Sequence, residues 1–253
     1  MIQFNNQNDW KIIQYQGHSI KAAYSNLGKV WEKESPVPPT PTFDGKFKIV
    51  FTDAGGSERV YSAICDATSA ITSAETSGYL FNAKNIEIGK CVSSIDDRAF
   101  NAPQIVTSVT IGENVATIGN SSFFLCPKVP TLTIPNSVRT IGETAFSGWR
   151  SITELTIPSG VVSIGNQAFS QCSALTSVII EGSTTFENLV FAMCSGLTSV
   201  TCLATTPPTV GFNMFYDTSN ALTIYVPSAS VNAYKTATNW STYANRIQAI
   251  PNS

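Results

Sequence analysis

The chain has 253 residues, 43% hydrophobic and 13% charged, with 15 basic and 17 acidic side chains and one histidine. This length and apolar content are enough to bury a substantial core. A near-neutral charge without a lysine and arginine cluster excludes the electrostatic footprint of a nucleic-acid-binding protein. The apolar runs are too short for a membrane span, and the first residues lack the basic and apolar segments of a secretory signal.

Residues 1–34 alternate apolar and polar side chains in three stretches, at 10–15, 19–24 and 29–32. This pattern predicts a small β-meander. A few strands alone bury little surface, so we expect this module to serve attachment or oligomerisation. Residues 35–42 read Ser-Pro-Val-Pro-Pro-Thr-Pro-Thr and predict a Pro-rich, extended linker.

Phenylalanine recurs every 23 residues in the middle of the chain, at Phe100, Phe123, Phe146 and Phe169. Its recurring phrase is cleanest in Thr-Ile-Gly-Glu-Thr-Ala-Phe (140–146) and Ser-Ile-Gly-Asn-Gln-Ala-Phe (163–169). A fifth copy around Phe191 arrives one residue early, and a degenerate sixth is centred on Phe215. Self-similarity at a fixed period predicts a solenoid, whose units stack because none can bury its apolar side alone.

Each repeat predicts one short strand. The residues nine and eleven positions after each Phe are apolar, as in Leu155 and Ile157, and the side chain between them points to the opposite face. A strand that recurs once per unit must stack as a parallel sheet, here over residues 86–226. The Ile-Gly-x-x-Ala-Phe phrase is expected to form the opposite wall, with turns of positive φ at three glycines: Gly119, Gly142 and Gly165.

The full pattern, Leu-x-x-Val-x-Ile-Pro-x-x-Val-x-x-Ile-Gly-x-x-Ala-Phe-x-x-Cys-x-x-Leu, closely resembles the BspA-like leucine-rich repeats of bacterial surface and phage-associated proteins. The resemblance covers residues 86–226 and implies a leucine-rich-repeat solenoid that serves adhesion or recognition rather than catalysis. The sequence departs from the pattern at Pro103 and Trp149, which occupy the Cys slot, and at Ser122, which replaces the alanine before Phe123.

Both ends of the solenoid need caps to cover their apolar edges. Residues 43–85 predict an N-terminal cap, with a hairpin formed by 47–52 and 59–64. Residues 227–253 predict a C-terminal cap of short helical pieces, with Ser228 or Ser230 as N-cap and Ile247 in the apolar stripe.

The outward side chains of the predicted sheet form the candidate binding face. They are small and nearly uncharged, which suits a flat protein or glycan surface, although threonine is also simply well suited to an exposed strand. Trp149 and Arg150 are a candidate contact at its edge. The outward residues of this face are Thr110, Thr131, Thr133, Thr156, Ser177 and Thr201.

Catalysis, cofactors and metal ions are not expected. His18, the only histidine, lies far along the chain from the repeats, and the carboxylates of Asp96 and Asp97 fall in a loop that the repeat exposes to solvent. No phosphate-binding or dinucleotide motif is present. Four cysteines occupy core slots and are interpreted as buried thiols, with a Cys172–Cys194 bridge left open as an alternative: Cys126, Cys172, Cys194 and Cys202.

The leading hypothesis is a non-enzymatic protein displayed on a virion as a fibre or decoration protein, because Met1, if native, is followed directly by the small β module without an export signal. Residues 1–34 would then bind virion proteins or a second copy of the chain. The alternative is an exported bacterial cell-surface adhesin whose signal has been removed. Either protein would contact the protein or glycan surface of a host or neighbouring cell; an enzyme is disfavoured.

Overall fold

The computed structural model describes residues 11–15, 18–22, 45–52, 56–63, 70–77, 80 and 82–251. Two 3-10 turns, Ser228–Ser230 and Ser241–Arg246, flank the C-terminal helix. The strands and helices in chain order are β1 (Lys11–Tyr15), β2 (His18–Ala22), β3 (Phe47–Thr52), β4 (Glu58–Ala63), β5 (Ala70–Ile71), α1 (Ser73–Thr76), β6 (Ala83–Ile88), β7 (Ser94–Ile95), β8 (Ser108–Thr110), β9 (Thr117–Ile118), β10 (Thr140–Ile141), β11 (Glu154–Ile157), β12 (Ser163–Ile164), β13 (Ser177–Ile180), β14 (Thr185–Phe186), β15 (Ser199–Cys202), β16 (Thr223–Val226), α2 (Val231–Thr236) and β17 (Ile247–Ala249).

The longer strands of the repeats stack in parallel, as the sequence predicts. We call these strands the main sheet; its C-terminal part has the order β11-β13-β15-β16-β17. Equivalent residues lie opposite one another, so that Leu155 faces Val178 and Val178 faces Val200. These side chains are buried, with exposures of 3% or less, while their outward neighbours are exposed or half-buried. The alternation of the strands therefore places one apolar row in the core.

Each repeat also contains a second, two-residue strand, so the prediction of one strand per unit was incomplete. These strands form a parallel sheet of their own, in the order β14-β12-β10-β9-β7-β5, which we call the short-strand sheet. Ile141 in β10 faces Ile118 in β9 and Ile164 in β12, and all three are buried. A single buried residue per copy is too short to give an alternation signal in the sequence.

The repeated phenylalanines form a continuous buried stack, which confirms the prediction of a solenoid core. Ring centroids of successive phenylalanines lie 5.2 to 5.9 Å apart from Phe100 to Phe215, with interplanar angles of 15° or less. Backbone hydrogen bonds join the same segments, since the Phe146 N–H donates to the Ala168 carbonyl at 2.8 Å and the Phe123 N–H to that of Ala145 at 2.9 Å. The stack is therefore tied from repeat to repeat by both rings and backbone.

The expected positive φ at Gly119, Gly142 and Gly165 is wrong. The left-handed residues lie two before and two after each phenylalanine, as with Thr144 (φ 50°) and Gly148 (φ 81°) around Phe146. The glycines are needed because successive repeats approach closely here. A Cβ on Gly142 would lie 2.6 Å from the Asn120 backbone nitrogen.

The N-terminal cap continues the main sheet. β3 and β4 form the predicted antiparallel hairpin, β3 also pairs antiparallel with β6, and β6 pairs in parallel with β8. The buried Lys46 ammonium contacts the Glu75 carboxylate at 2.7 Å, which ties the start of the hairpin to α1 within the cap. β1 and β2 form an antiparallel hairpin within the predicted meander. The rest of that meander and the linker at 35–42 lie outside the described residues.

The C-terminal cap differs from its prediction in two places. The Ser230 side chain does not cap α2; its hydroxyl donates to the Thr205 carbonyl at 2.7 Å. Ile247 lies in β17 rather than in a helical stripe, and it faces Ile224 of β16 in parallel register. The exposed edge of β16 accepts this strand, which extends the main sheet by one position beyond the last repeat.

Candidate functional site

The outward side of the main sheet forms a row of small polar side chains. Thr110, Thr131, Thr133 and Thr156 are exposed, and Ser177 and Thr201 are half-buried. The row is not uniform, since the strand register places Ile179, 42% exposed, between Thr156 and Thr201. Small side chains that recur from strand to strand would offer a flat partner the same modest contact several times.

The same register shows one outward residue that the sequence analysis missed. Tyr225 of β16 lies opposite Thr201 and is half-buried on the outward face. The signal was present, because Thr-Ile-Tyr-Val at 223–226 repeats the alternation of the earlier strands. The copy around Phe215 is degenerate, which makes the outward position of its strand harder to assign from the period.

The candidate contact at Trp149 is wrong, because the side chain is fully buried. Its indole N–H donates to the Phe123 carbonyl at 2.7 Å, and its ring meets Phe146 edge-on at 5.2 Å. The Cys slot is buried in the first five repeats, and the Cys194 thiol makes the equivalent bond to the preceding repeat at 3.2 Å. Trp149 is a larger residue in the same structural role, and only its neighbour Arg150 is exposed.

The main sheet is interrupted at residues 131–134, where the repeat pattern predicts a strand. Within the described part of the chain, the backbone of these residues makes no hydrogen bond to the repeats on either side. The short-strand sheet and the phenylalanine stack pass this point without a break, since β9 pairs with β10 and Phe123 stacks on Phe146. A cleft of about 390 Å³ lies between residues 131–134 and β11.

Two prolines remove donors from the side of this segment that faces the preceding repeat. In the intact part of the sheet, Thr176 donates both its N–H and its hydroxyl to the Thr153 carbonyl of the preceding repeat, at 2.8 and 2.9 Å. Pro130 occupies this slot and has no N–H. At the other end of the segment Pro135 stands where Glu181 donates its N–H to the preceding repeat at 3.1 Å, a slot that Pro158 fills in the repeat of β11. The segment has therefore lost a donor at each end.

Of the adjacent carboxylates Asp96 and Asp97, that of Asp97 is used structurally. The Asp97 carboxylate accepts the backbone N–H of Asn120 at 2.6 Å and its side-chain amide at 3.1 Å. The Asn120 side chain in turn accepts the N–H of Glu143 at 2.7 Å. Asp97 thus begins a chain of side-chain caps that links successive repeats, which explains a carboxylate here without a catalytic role.

The cysteines of the repeats are buried, free thiols, so the alternative of a Cys172–Cys194 bridge is not what the structure contains. Burial raises the pKa of Cys126 and raises that of Cys202 to about 12. Burial, and to a smaller extent the neighbouring Cys194, raise the pKa of Cys172 well above its usual value. Cys91, outside this set, is disulfide-bonded.

We expect these four buried thiols to resist alkylation in the folded protein. The raised pKa of Cys126, Cys172 and Cys202 leaves them almost no reactive thiolate at pH 8, and burial excludes the reagent from all four. Iodoacetamide treatment followed by peptide mass spectrometry should leave all four unmodified in buffer and modify all four in denaturant. Alkylation of Cys172 or Cys202 in buffer at the rate seen in denaturant would show that the repeats open locally.

Among the described residues, no group of three or more His, Cys, Asp or Glu side chains is placed to hold a metal ion. The helices in the same part of the chain are all too short or too polar to cross a membrane.

These features define a leucine-rich-repeat solenoid. Residues 78–198 and 117–244 match the family model described as BspA type Leucine rich repeat region, in 6 copies. The chain belongs to this family. A search of curated proteins gave no match.

Three solved structures illustrate the likeness. The pneumococcal vaccine antigen PcpA is 16% identical, with a TM-score of 0.49 over 79% of this chain and 46% of that one. A leucine-rich-repeat protein of T. pallidum is 22% identical, with a TM-score of 0.46 over 55% and 66%. A leucine-rich cell surface protein from Faecalibacterium prausnitzii is 23% identical, with a TM-score of 0.48 over 76% and 55%. This chain spans about half the length of the first of these proteins.

Proposed function

We propose that this protein is a non-catalytic recognition module displayed on a surface, and that it binds protein or glycan through the outward face of the main sheet. The observation that carries the proposal is the row of outward hydroxyls, which the fold keeps out of the core and repeats from strand to strand. Many weak, equally spaced contacts give useful affinity against a flat partner.

The disulfide at Cys91 supports a location outside the cytoplasm, because disulfides persist in oxidising surroundings such as cell and virion surfaces. The BspA-type repeats favour the surface of a bacterial cell. The virion fibre or decoration protein remains the second setting, with residues 1–34 as its attachment module.

The two settings separate in one labelling experiment. Antibodies against the solenoid, applied to intact bacteria and to purified phage particles from the same culture, should label the bacterial surface. Label confined to particles that co-purify with capsid protein would instead establish the virion setting.

The binding face is tested by adding charge to it. Replacing Thr110 and Thr201 together by lysine should reduce binding to an array of immobilised glycans and extracellular-matrix proteins by about tenfold or more, because a large charged side chain disrupts a flat contact. The free energy of unfolding should change by about 0.5 kcal/mol or less at the exposed Thr110, and by more at the half-buried Thr201.

The double variant Thr117→Lys, Thr185→Lys is the matched control, because it adds the same charge to the short-strand sheet instead of the main sheet. Both threonines are exposed there, and this variant should bind as the unmodified protein does. Equal loss in both variants would mean that added charge alone weakens binding. Normal binding by the Thr110, Thr201 variant would place the ligand on another surface.

A further inference from the structure

We infer that the cleft at the interruption of the main sheet is a strand-acceptor site for an extended peptide that carries basic side chains. The inference rests on the proposed function and names the class of partner that this part of the face would take. The site consists of residues 131–134 on one side and β11 on the other, with the cleft between them.

The backbone chemistry of the cleft favours a peptide strand. β11 is hydrogen-bonded on one edge only, to β13, so its other edge faces the cleft. Opposite it, the amides and carbonyls of residues 131–134 make no hydrogen bond within the described part of the chain. Unpaired strand edges of this kind are templates for pairing with another chain, and peptide recognition by strand addition uses them.

The solenoid keeps this edge open without unfolding. Elsewhere in the main sheet the strands are in register and their edges are paired from repeat to repeat. At the cleft, the stacked rings of Phe123 and Phe146 and the pairing of β9 with β10 hold the repeats together on the other walls. The loss of main-sheet hydrogen bonds is therefore confined to one strand position, between Pro130 and Pro135.

Charge and shape select the occupant. The charged residues that line the cleft are both acidic, Glu154 and Glu181, and both are exposed. Basic side chains on the outward face of an added strand would meet them, while the alternate side chains would lie over Leu132 and Leu155. None of the described residues that line the cleft is aromatic. It therefore lacks the stacking platform on which a sugar ring would rest.

The test uses the full chain and a short fluorescent peptide of alternating lysine and valine, with binding followed by fluorescence anisotropy. The structure offers a repair variant, Pro130→Thr, which restores the threonine found in this slot in the repeats with Thr107, Thr153 and Thr176. The restored N–H lies where Thr176 donates to the preceding repeat. We expect the repaired segment to pair with that repeat, which draws it away from β11 and removes one of the two edges that hold the peptide. Peptide binding should then weaken by about tenfold or more.

Hydrogen exchange reports whether the repair closes the sheet. The amides of residues 131–134 should exchange rapidly in the unmodified protein and become protected in the Pro130→Thr variant. If protection does not appear, the double variant Pro130→Thr, Pro135→Gly restores the second donor and replaces the single variant in the binding measurement. Pro207→Thr, a proline-to-threonine change outside the main sheet, is the matched control and should bind the peptide normally.

Three results would overturn the inference. The first is no binding of the lysine and valine peptide to the unmodified protein, and the second is binding as tight as that of the unmodified protein by a variant whose sheet is shown to be closed. The third is that a peptide with glutamate in place of lysine binds as tightly as the lysine peptide. A backbone N-methylated peptide should also fail to bind, since it cannot pair as a strand. The Thr110, Thr201 double variant leaves the cleft intact and should retain peptide binding. Failure of the proposed face and failure of the cleft are therefore distinguishable.

Discussion

Replacing Phe146 by alanine should lower the free energy of unfolding by about 3 to 5 kcal/mol, as for other large aromatic residues in cores. The ring is fully buried and stacks on Phe123 at 5.5 Å and on Phe169 at 5.3 Å. The ring also packs edge-to-face against the indole of Trp149. The substitution therefore removes contacts to three repeats at once. Urea unfolding followed by circular dichroism measures the change.

The matched control is Phe212→Ala. Phe212 is 60% exposed, although it belongs to the last repeat, so its removal should change the free energy of unfolding by about 0.5 kcal/mol or less. Similar losses for Phe146 and Phe212 would contradict a stack that stabilises the solenoid. A second, earlier transition in the Phe146 variant would show instead that the two halves of the solenoid unfold separately.

The repeat core could be predicted because its determinants recur. The spacing of Phe, Ile and Val identifies the buried rows, and a residue that recurs at a fixed position must meet its own equivalent in the next unit. Leu155 therefore pairs with Val178, and Phe146 stacks on Phe169, as the period alone indicates.

The sequence reasoning failed where a residue is governed by its neighbours in space. Trp149 is a large amphipathic residue in a slot usually filled by Cys, and only the nearby Phe123 carbonyl explains its burial. Ile247 follows a segment with a helical pattern, but it pairs with β16 because β15 occupies only one edge of that strand. In both cases tertiary contacts outweigh the local pattern.

The interruption of the main sheet did have a sequence signal. Pro130 and Pro135 bracket a four-residue strand, and proline at such positions removes the donors that a central strand needs. The apolar alternation of residues 131–134 nevertheless predicts a strand there. Leu132 and Ile134 are indeed buried, with exposures of 8% and 5%, so the alternation correctly predicts the inward side chains but not the backbone pairing.

The glycines of the Ile-Gly phrase give the second large effect. Gly142→Ala should lower the free energy of unfolding by about 1 to 3 kcal/mol, the range for overpacking in a close-packed interior. The new methyl group would lie 2.6 Å from the Asn120 backbone nitrogen and 2.7 Å from the Gly119 carbonyl carbon. Because these are backbone atoms, no rotation of a side chain can relieve the contact.

The neighbouring substitution Glu143→Ala is the control for Gly142→Ala, because it also introduces alanine but at an exposed side chain. It should cost about 0.5 kcal/mol or less in the same urea titration. If Gly142 were needed for positive φ, the backbone conformation itself would strain the alanine. A larger distance between residue 142 and the preceding repeat would then not relieve the strain. Close approach predicts a different result: the Gly142→Ala variant should lose amide protection at Gly142 and Glu143, whose N–H groups donate to Ile118 and Asn120 of the preceding repeat at 2.8 and 2.7 Å. Unchanged exchange at these two amides, together with unchanged stability, would contradict the role assigned to the glycine.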